Sequence, residues 1–370
     1  MVIKDLKIRN FRNIKRIDWQ PAPGTNVISG NNGEGKTNLL ETLYILLNLK
    51  PLRMGKNFKP LINNKESSFF IRAQLIDATE KYEKILGYEE GNKKLQIDKQ
   101  IVKAKEFIKN SYCIFFSPDE AGMVVDSPGV RRKLMDRFIF SLASDYYEKL
   151  ILYKKLLKRR NLFLRDNYDS RLIKSLDKNF VPLANEITLK RAQFIKELSP
   201  LFSKIWKQLK PENIELSLRY DKSLDINNND AGFKFYQQKY EQEKRMGRTN
   251  YGPHRDDFIF YAENIDSKHF LSHGERKIAA FSFNFAYLGF FSKVVKRLPV
   301  IMLDDISAEL DRETLERVFN LLNTYDSQKF ITVLSGKKQL LEDFVDFKDE
   351  KNKLYHIDNG SLKEYESILQ

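Results

Sequence analysis

Residues 30–37 read Gly-Asn-Asn-Gly-Glu-Gly-Lys-Thr, the spacing G-x-x-x-x-G-K-T. This pattern constrains the fold more than any other in the chain, because it works in only one setting, between a buried strand and a helix N-terminus. Both flanks fit. Upstream, Thr25 to Gly30 carries the apolar pair Val27 and Ile28, which suits a short buried strand. Downstream, Leu39, Leu40, Leu43, Ile45, Leu46 and Leu47 follow a helical stripe up to Pro51. Gly30, Gly33 and Gly35 let the backbone curl, so that the N–H groups of Asn31, Asn32 and Glu34 are free to face an anion. Together with the helix N-terminus they favour a polyphosphate. Lys36 is placed to reach its β- and γ-phosphates, and the Thr37 hydroxyl to bind Mg²⁺.

A phosphate loop needs acids to complete it. Val300 to Asp305 reads Val-Ile-Met-Leu-Asp-Asp, four apolar residues and two carboxylates, as a buried parallel strand would present them to a nucleotide. Asp304 is expected to hold Mg²⁺, directly or through water, and Asp305 to orient or deprotonate the attacking water. Two further stretches fall at helix starts. Ser272 and Glu275 in Leu-Ser-His-Gly-Glu form an S-x-x-E capping box, which puts Ser272 and Gly274 at a helix N-terminus, a natural anion site. Asp311, at the end of Ser-Ala-Glu-Leu-Asp (307–311), suits an N-cap.

The rest of the chain alternates between patterns. Residues 68–76, 82–88 and 94–102 alternate apolar and polar positions and predict antiparallel strands. Residues 111–117 predict a buried strand ending at Pro118. Leu142, Tyr146, Leu150, Tyr153 and Leu157, and then Phe194, Leu198, Leu201, Ile205 and Leu209, recur at three and four, predicting two helices packed as an antiparallel pair or small bundle. A further helix runs to Gly247. Beyond it come a strand at 256–263, a long helix after Ser272, the strand at 300–303, a helix after Asp311, a strand at 329–335 and a terminal hairpin turning at Asn359–Gly360. Strands and helices alternate at both ends with helices between, which predicts a split α/β domain around an insertion. The expected parts are 1–130, an inserted helical arm at 131–250, and 251–370.

Charge points to a partner. The formal net charge is +14, and residues 149–210 alone hold sixteen basic and five acidic side chains. Such a concentrated excess favours a polyanion, most commonly nucleic acid. Lys158, Arg159 and Arg160 in the arm and the pair Arg131 and Arg132 are the candidates for DNA phosphates; the sequence leaves open whether the arm or the rest of the chain carries DNA. The single cysteine, Cys113, excludes a disulfide framework and a Cys-x-x-Cys zinc site. His254, Asp256 and Asp257 in Gly-Pro-His-Arg-Asp-Asp suit a turn entering a strand better than a metal site. No window of about 18 apolar residues stands out and the N-terminus lacks a signal-peptide core, so the expectation is a soluble cytoplasmic protein without a membrane partner.

The order Gly-Asn-Asn-Gly-Glu-Gly-Lys-Thr, Leu-Ser-His-Gly-Glu, Ile-Met-Leu-Asp-Asp, Ser-Ala-Glu-Leu-Asp resembles the ATP-binding-cassette ATPases, including the chromosome-maintenance type. With Ile-Arg-Asn-Phe-Arg-Asn-Ile, Phe-Ser-Pro-Asp-Glu, Asp-Ser-Pro-Gly-Val-Arg-Arg-Lys and Gly-Pro-His-Arg-Asp-Asp added, it resembles the RecF recombination-mediator family over residues 1 to about 335. The resemblance implies an α/β cassette head that binds ATP with Mg²⁺ and forms an ATP-dependent homodimer. Ser272, Gly274 and Glu275 would then meet the nucleotide held by the other copy, Ser307 and Asp311 would belong to the D-loop, and Arg12 would approach the nucleotide. It also implies DNA binding near single-strand gaps and work with RecR and RecO to load recombinase. Where most cassette ATPases have Glu after the metal-binding acid, this chain has Asp305. A weak, DNA-stimulated ATPase and an ATP-gated clamp in which hydrolysis is incidental are both consistent with that shorter side chain.

Overall fold

The strand Thr25–Gly30 is buried at all six positions. It lies between two parallel neighbours, Lys329–Leu334 and Lys353–Asp358. Paired on both edges and covered on both faces, such a strand needs no alternation of apolar and polar residues. The structure, a computed structural model, describes residues 1–52, 57–78, 80–116, 122–166, 168–211, 214–226, 228–263, 265–306 and 310–365. The chain divides into two compact units, Met1–Glu120 with Lys296–Gln370, and Ala121–Val295.

The first unit holds two six-stranded sheets. In the loop-bearing sheet the strands run Ser361–Glu364, Lys353–Asp358, Thr25–Gly30, Lys329–Leu334, Val300–Leu303 and Cys113–Phe116. The inner pairings are parallel, and the hairpin strand Ser361–Glu364 is antiparallel. The second sheet is antiparallel. Its first strand, Val2–Phe11, has a register shift between Ile3 and Asp5, and this bulge is why Ile3 and Leu6, an odd number of residues apart, are both buried. The helix Lys36–Asn48 is buried without a break from Leu39 to Leu47, and its side chains join those of both sheets in one apolar core. The stretch 94–102, expected as one strand, is a hairpin. Asp98 and Lys99 both take positive φ, 47° and 67°, and turn the chain back on itself. Both faces of a hairpin alternate, so periodicity alone cannot see the turn.

The second unit is helical with a three-stranded antiparallel sheet, Leu216–Asp221, Asp257–Ala262 and Ile265–Asp266. The helices Ser144–Arg165 and Ser170–Leu209 run antiparallel, as the two apolar seams imply. Tyr153 stacks on Phe180 at 5.0 Å, and Arg191 reaches Tyr146 at the far end. The first seam is cut at Ala143, where Leu142 closes a separate helix, Pro128–Leu142. In the second seam Phe202 and Trp206 are buried, while Leu201 and Ile205 are half-buried. Residues 251–295, grouped from sequence with the C-terminal part, pack within this unit. Phe258 stacks on Phe283 at 5.7 Å, and Phe138 packs on Phe283 and Tyr287. The helix His273–Val295 also corrects the sequence reading of hydropathy. It is long and apolar enough to cross a membrane by composition, with a mean hydropathy of 1.4, yet 67% of that window is buried inside the fold, as in a core helix.

Candidate nucleotide site

The site is built where strands end. Gly30 pairs with Leu334, and Leu303 pairs with Ile331, so the loop and the two acids leave the same edge of the sheet with one strand between them. Gly33 and Gly35 take φ of 84° and 115°. A side chain at Gly35 would in addition lie 2.9 Å from Asn13, and one at Gly30 2.7 Å from the Ile357 carbonyl. Glycine is therefore required at Gly35 by conformation. Lys36 is buried, and its Nζ donates to the carbonyls of Gly30 (2.7 Å) and Asn31 (2.8 Å). Burial pushes the Lys36 ammonium below its ordinary pKa, against the pull of Asp305, Asp304 and Glu34. The Glu34 carboxylate folds back over the loop, accepting from the Asn31 N–H (2.5 Å) and its side-chain amide (2.9 Å). Asn32 is exposed.

Thr37 Oγ1 donates to Asp304, 2.9 Å from Oδ2 and 3.1 Å from Oδ1. Asp304 is buried and Asp305 half-buried. A hydroxyl and a carboxylate held this close are the hard oxygen pair that Mg²⁺ takes from a protein when phosphates and water fill its other positions, so the residues present fit the metal. Asp305 sits in the left-handed region at φ 47°, and its Oδ1 is buried with no hydrogen-bond partner among the described residues.

Three contributors are not visible as motifs. Asn13 donates to the Gly33 carbonyl (3.3 Å) and accepts from Asn38 (2.8 Å), bracing the loop from outside. Gly360, in the terminal hairpin, donates its N–H to the Glu34 carbonyl. Thr332, in the strand between loop and acids, bonds to both Asp304 and Asp305. Arg12, in the same turn as Asn13, pairs with the buried Glu41 at 2.6 Å, one helical turn beyond Thr37. Asp311 caps the helix Arg312–Asn323 by accepting from Thr314 N at 2.8 Å. Ser307 and the stretch 117–120 lie outside the described residues.

In the second unit the capping box forms. Ser272 N donates to Glu275 Oε2 (2.9 Å) and Glu275 N to Ser272 Oγ (3.3 Å). Ser272 and Gly274 are exposed, and a Cβ on Gly274 would meet nothing within 4 Å.

Two of the candidate DNA arginines, Arg131 and Arg160, are buried. Arg160 is fully buried, held by Asp177 (2.8 Å), Glu243 (2.6 Å) and Thr249 (2.8 Å). Arg131 is buried against Asp257, and Arg132, half-buried, donates to the Asp256 carbonyl at 2.6 Å. A guanidinium enclosed by its own carboxylates does not present itself to a phosphate backbone. Lys158 and Arg159 are exposed. His254 sits between the Tyr153 hydroxyl (2.7 Å) and the Thr249 carbonyl (3.0 Å), and burial pushes its pKa down to about 4. Asp256 accepts from Ser223 N and the Tyr220 hydroxyl. These residues knit the unit together, and no metal-binding cluster occurs among the described residues.

A glycine-rich loop entering a helix, with two acids on the strand one removed, and a capped serine helix elsewhere in the chain together define an ATPase head of the ATP-binding-cassette type. The family model for the RecF/RecN/SMC N-terminal domain matches residues 2–361, and the chain belongs to that family. It is similar to the DNA replication and repair protein RecF of Clostridium botulinum (strain Eklund 17B / Type B), 29% identical over 370 residues covering 98% of this chain and 99% of that protein. RecF of Clostridium perfringens (strain SM101 / Type A) is 29% identical over 368 residues, covering 98% and 100%. Among solved structures, the recombination mediator protein RecF with ATP, in the RecFOR pathway, superposes with a TM-score of 0.85 at 24% identity over 98% of this chain and 99% of that one. The Smc head bound to the C-winged helix domain of ScpA superposes at 0.58 with 15% identity over 99% and 98%, a likeness of fold.

Proposed function

We propose that the chain is an ATP-dependent DNA-binding protein of recombinational repair and replication restart, with weak, DNA-stimulated ATPase activity. The observation that carries this reading is the meeting of Lys36, Thr37, Asp304 and Asp305 beyond the ends of the two strands that flank Lys329–Leu334. Lys36 binds the β- and γ-phosphates beside the loop N–H groups, and Thr37 and Asp304 hold Mg²⁺. When bound, Mg²⁺ supplies neutralisation of phosphate charge. Asp305 accepts the proton of the attacking water, and its Oδ1, without a hydrogen-bond partner among the described residues, supports that role over a clamp in which hydrolysis is incidental.

Two copies pair on ATP, each offering Ser272, Gly274 and Glu275 to the phosphates held by the other. The exposed, unobstructed helix start supports this arrangement. The relatives' names, and the pathway named for the solved RecF structures, support work in DNA replication and repair with RecR and RecO, which this reading places at single-strand gaps in the cytoplasm. The exposed Lys155, Lys158 and Arg159 on the Ser144–Arg165 helix support a DNA contact on the arm. The test is ATP turnover with and without gapped DNA, in single-turnover and steady-state formats, beside sedimentation with ATP. DNA-stimulated turnover and an ATP-dependent dimer are expected. Binding of ATP with no turnover above background, even with DNA, would leave the clamp.

A further inference from the structure

The strand Lys329–Leu334 separates the phosphate loop from the two acids, and one of its residues is polar, fully buried and bonded to both acids. Thr332 Oγ1 donates to Asp304 Oδ1 at 2.7 Å and accepts from the Asp305 N–H at 2.8 Å. A threonine hydroxyl has a single proton, so the donor direction is committed to Asp304 and the Asp305 amide takes a lone pair. Asp304 Oδ1 then receives Thr332 from inside the sheet and Thr37 from the loop side. Its carboxylate is held by two hydroxyls, one from the first turn of the Lys36–Asn48 helix and one from within the strand Lys329–Leu334. Asp305 is fixed by the same atom, through its main chain, in the left-handed conformation that its φ of 47° records. The bond from Thr332 adds a tertiary restraint on that conformation.

We propose that Thr332 is the positioning residue for the metal of this site. It turns the Asp304 carboxylate toward Thr37 and, through one hydroxyl, sets the place of Asp305. It touches neither nucleotide nor metal, and it acts through Asp304. The inference rests on the nucleotide reading given above. Partners of this kind, which orient a metal-binding group from behind, change metal affinity about 10- to 100-fold when removed. Threonine to valine is the sharpest test, since it keeps the shape and removes the hydroxyl.

The experiment measures Mn²⁺ binding by electron paramagnetic resonance at saturating ATP, beside ATP affinity in EDTA, for wild type, Thr332→Val, Thr332→Ala, Thr332→Ser and Thr37→Ala. Mn²⁺ takes the same hard oxygen donors as Mg²⁺. Thr332→Val is expected to lose about tenfold or more in Mn²⁺ affinity, with metal-free ATP affinity held within about twofold, and Thr332→Ser to retain the metal. Thr332→Ala serves as a second hydroxyl-free variant if valine lowers the melting temperature enough to obscure binding. Unchanged Mn²⁺ affinity in both hydroxyl-free variants overturns the proposal. So does an equal loss in Thr332→Ser, which would make the role one of packing. If the wild type holds no Mn²⁺–ATP, the nucleotide reading itself falls and this inference with it. If the wild type binds and only Thr37→Ala is impaired, the nucleotide reading stands and Thr332 is a strand residue alone.

Discussion

Arg160→Met removes a buried charge without leaving a large cavity. The guanidinium lies between Asp177 and Glu243, with Thr249 as third partner and the rings of Phe180 and Tyr236 at 5.5 and 4.8 Å. Glu243 keeps the Asn250 N–H, but among the described residues Asp177 has only Arg160 as its charge partner. Taking one member from a buried ionic group costs about 3–5 kcal/mol, because the remaining charge stays out of water without its partner. Set against the 5–15 kcal/mol that holds a typical domain, that loss is large. Urea unfolding followed by tryptophan fluorescence measures it. The chain has two tryptophans, Trp206 buried in the unit that holds Arg160 and Trp19 in the other, so a Trp19→Phe background reports the affected unit alone. The pH dependence has a definite sign. Burial already raises the Asp177 pKa above its ordinary 3.8 while Arg160 lowers it, so losing Arg160 raises it further. A carboxyl whose folded pKa is raised stabilises most below its unfolded pKa and loses that contribution as pH rises through the folded one. The defect of Arg160→Met is therefore greatest at neutral pH and shrinks as the pH falls toward 4. A loss below about 1 kcal/mol, or one that grows on acidification, refutes the buried-network account.

Lys36→Ala should lose about 2 kcal/mol of ATP binding, roughly thirtyfold, since a charge-assisted contact to phosphate goes; calorimetric affinity equal to wild type would remove the loop from the site. Asp305→Asn should bind ATP and slow its hydrolysis about a hundredfold or more, measured in a single turnover, whereas normal turnover would move the base elsewhere. Ser272→Arg should bind ATP as a monomer yet fail to dimerise in sedimentation with ATP and Mg²⁺, and a stable dimer would reduce Ser272 to its capping role. Reversing Lys155, Lys158 and Arg159 to Glu should weaken DNA binding alike across sequences and flatten its salt dependence, by about 0.9 in the log–log slope per phosphate lost. An unchanged slope places DNA away from the arm.

Local chemistry is legible in proportion to how local it is. The phosphate loop, the paired acids, the Ser272–Glu275 box, the Asp311 cap and the Asn359–Gly360 turn each need only a few neighbouring residues, and each stands where the chain's spacing puts it. Thr332 and Asn13 do not show, because a lone polar residue in a strand or turn has no pattern; only the pairing of strands brings Thr332 to Asp304. Arg131 and Arg160 mislead for the same reason in reverse. The carboxylate of Arg131, Asp257, lies 126 residues away, and those of Arg160, Asp177 and Glu243, lie 17 and 83 away, so a running count of charge does not pair them and assigns both arginines to the surface. Arg160 also sits beside the exposed Lys158 and Arg159, and a helix face changes from solvent to core within one residue.

The sheet that carries the phosphate loop sets a timetable for synthesis. The loop strand is made near the start, yet its contacts on both edges come from residues more than 300 positions later, as Asn26 to Lys329 and Ser29 to Tyr355 show. At roughly 5–20 residues per second a ribosome needs about 15–60 s to supply them. Through that interval the growing chain carries Gly30 to Thr37 with neither flanking strand in place. Until those distant segments arrive, the loop lacks the sheet that shapes it for a nucleotide.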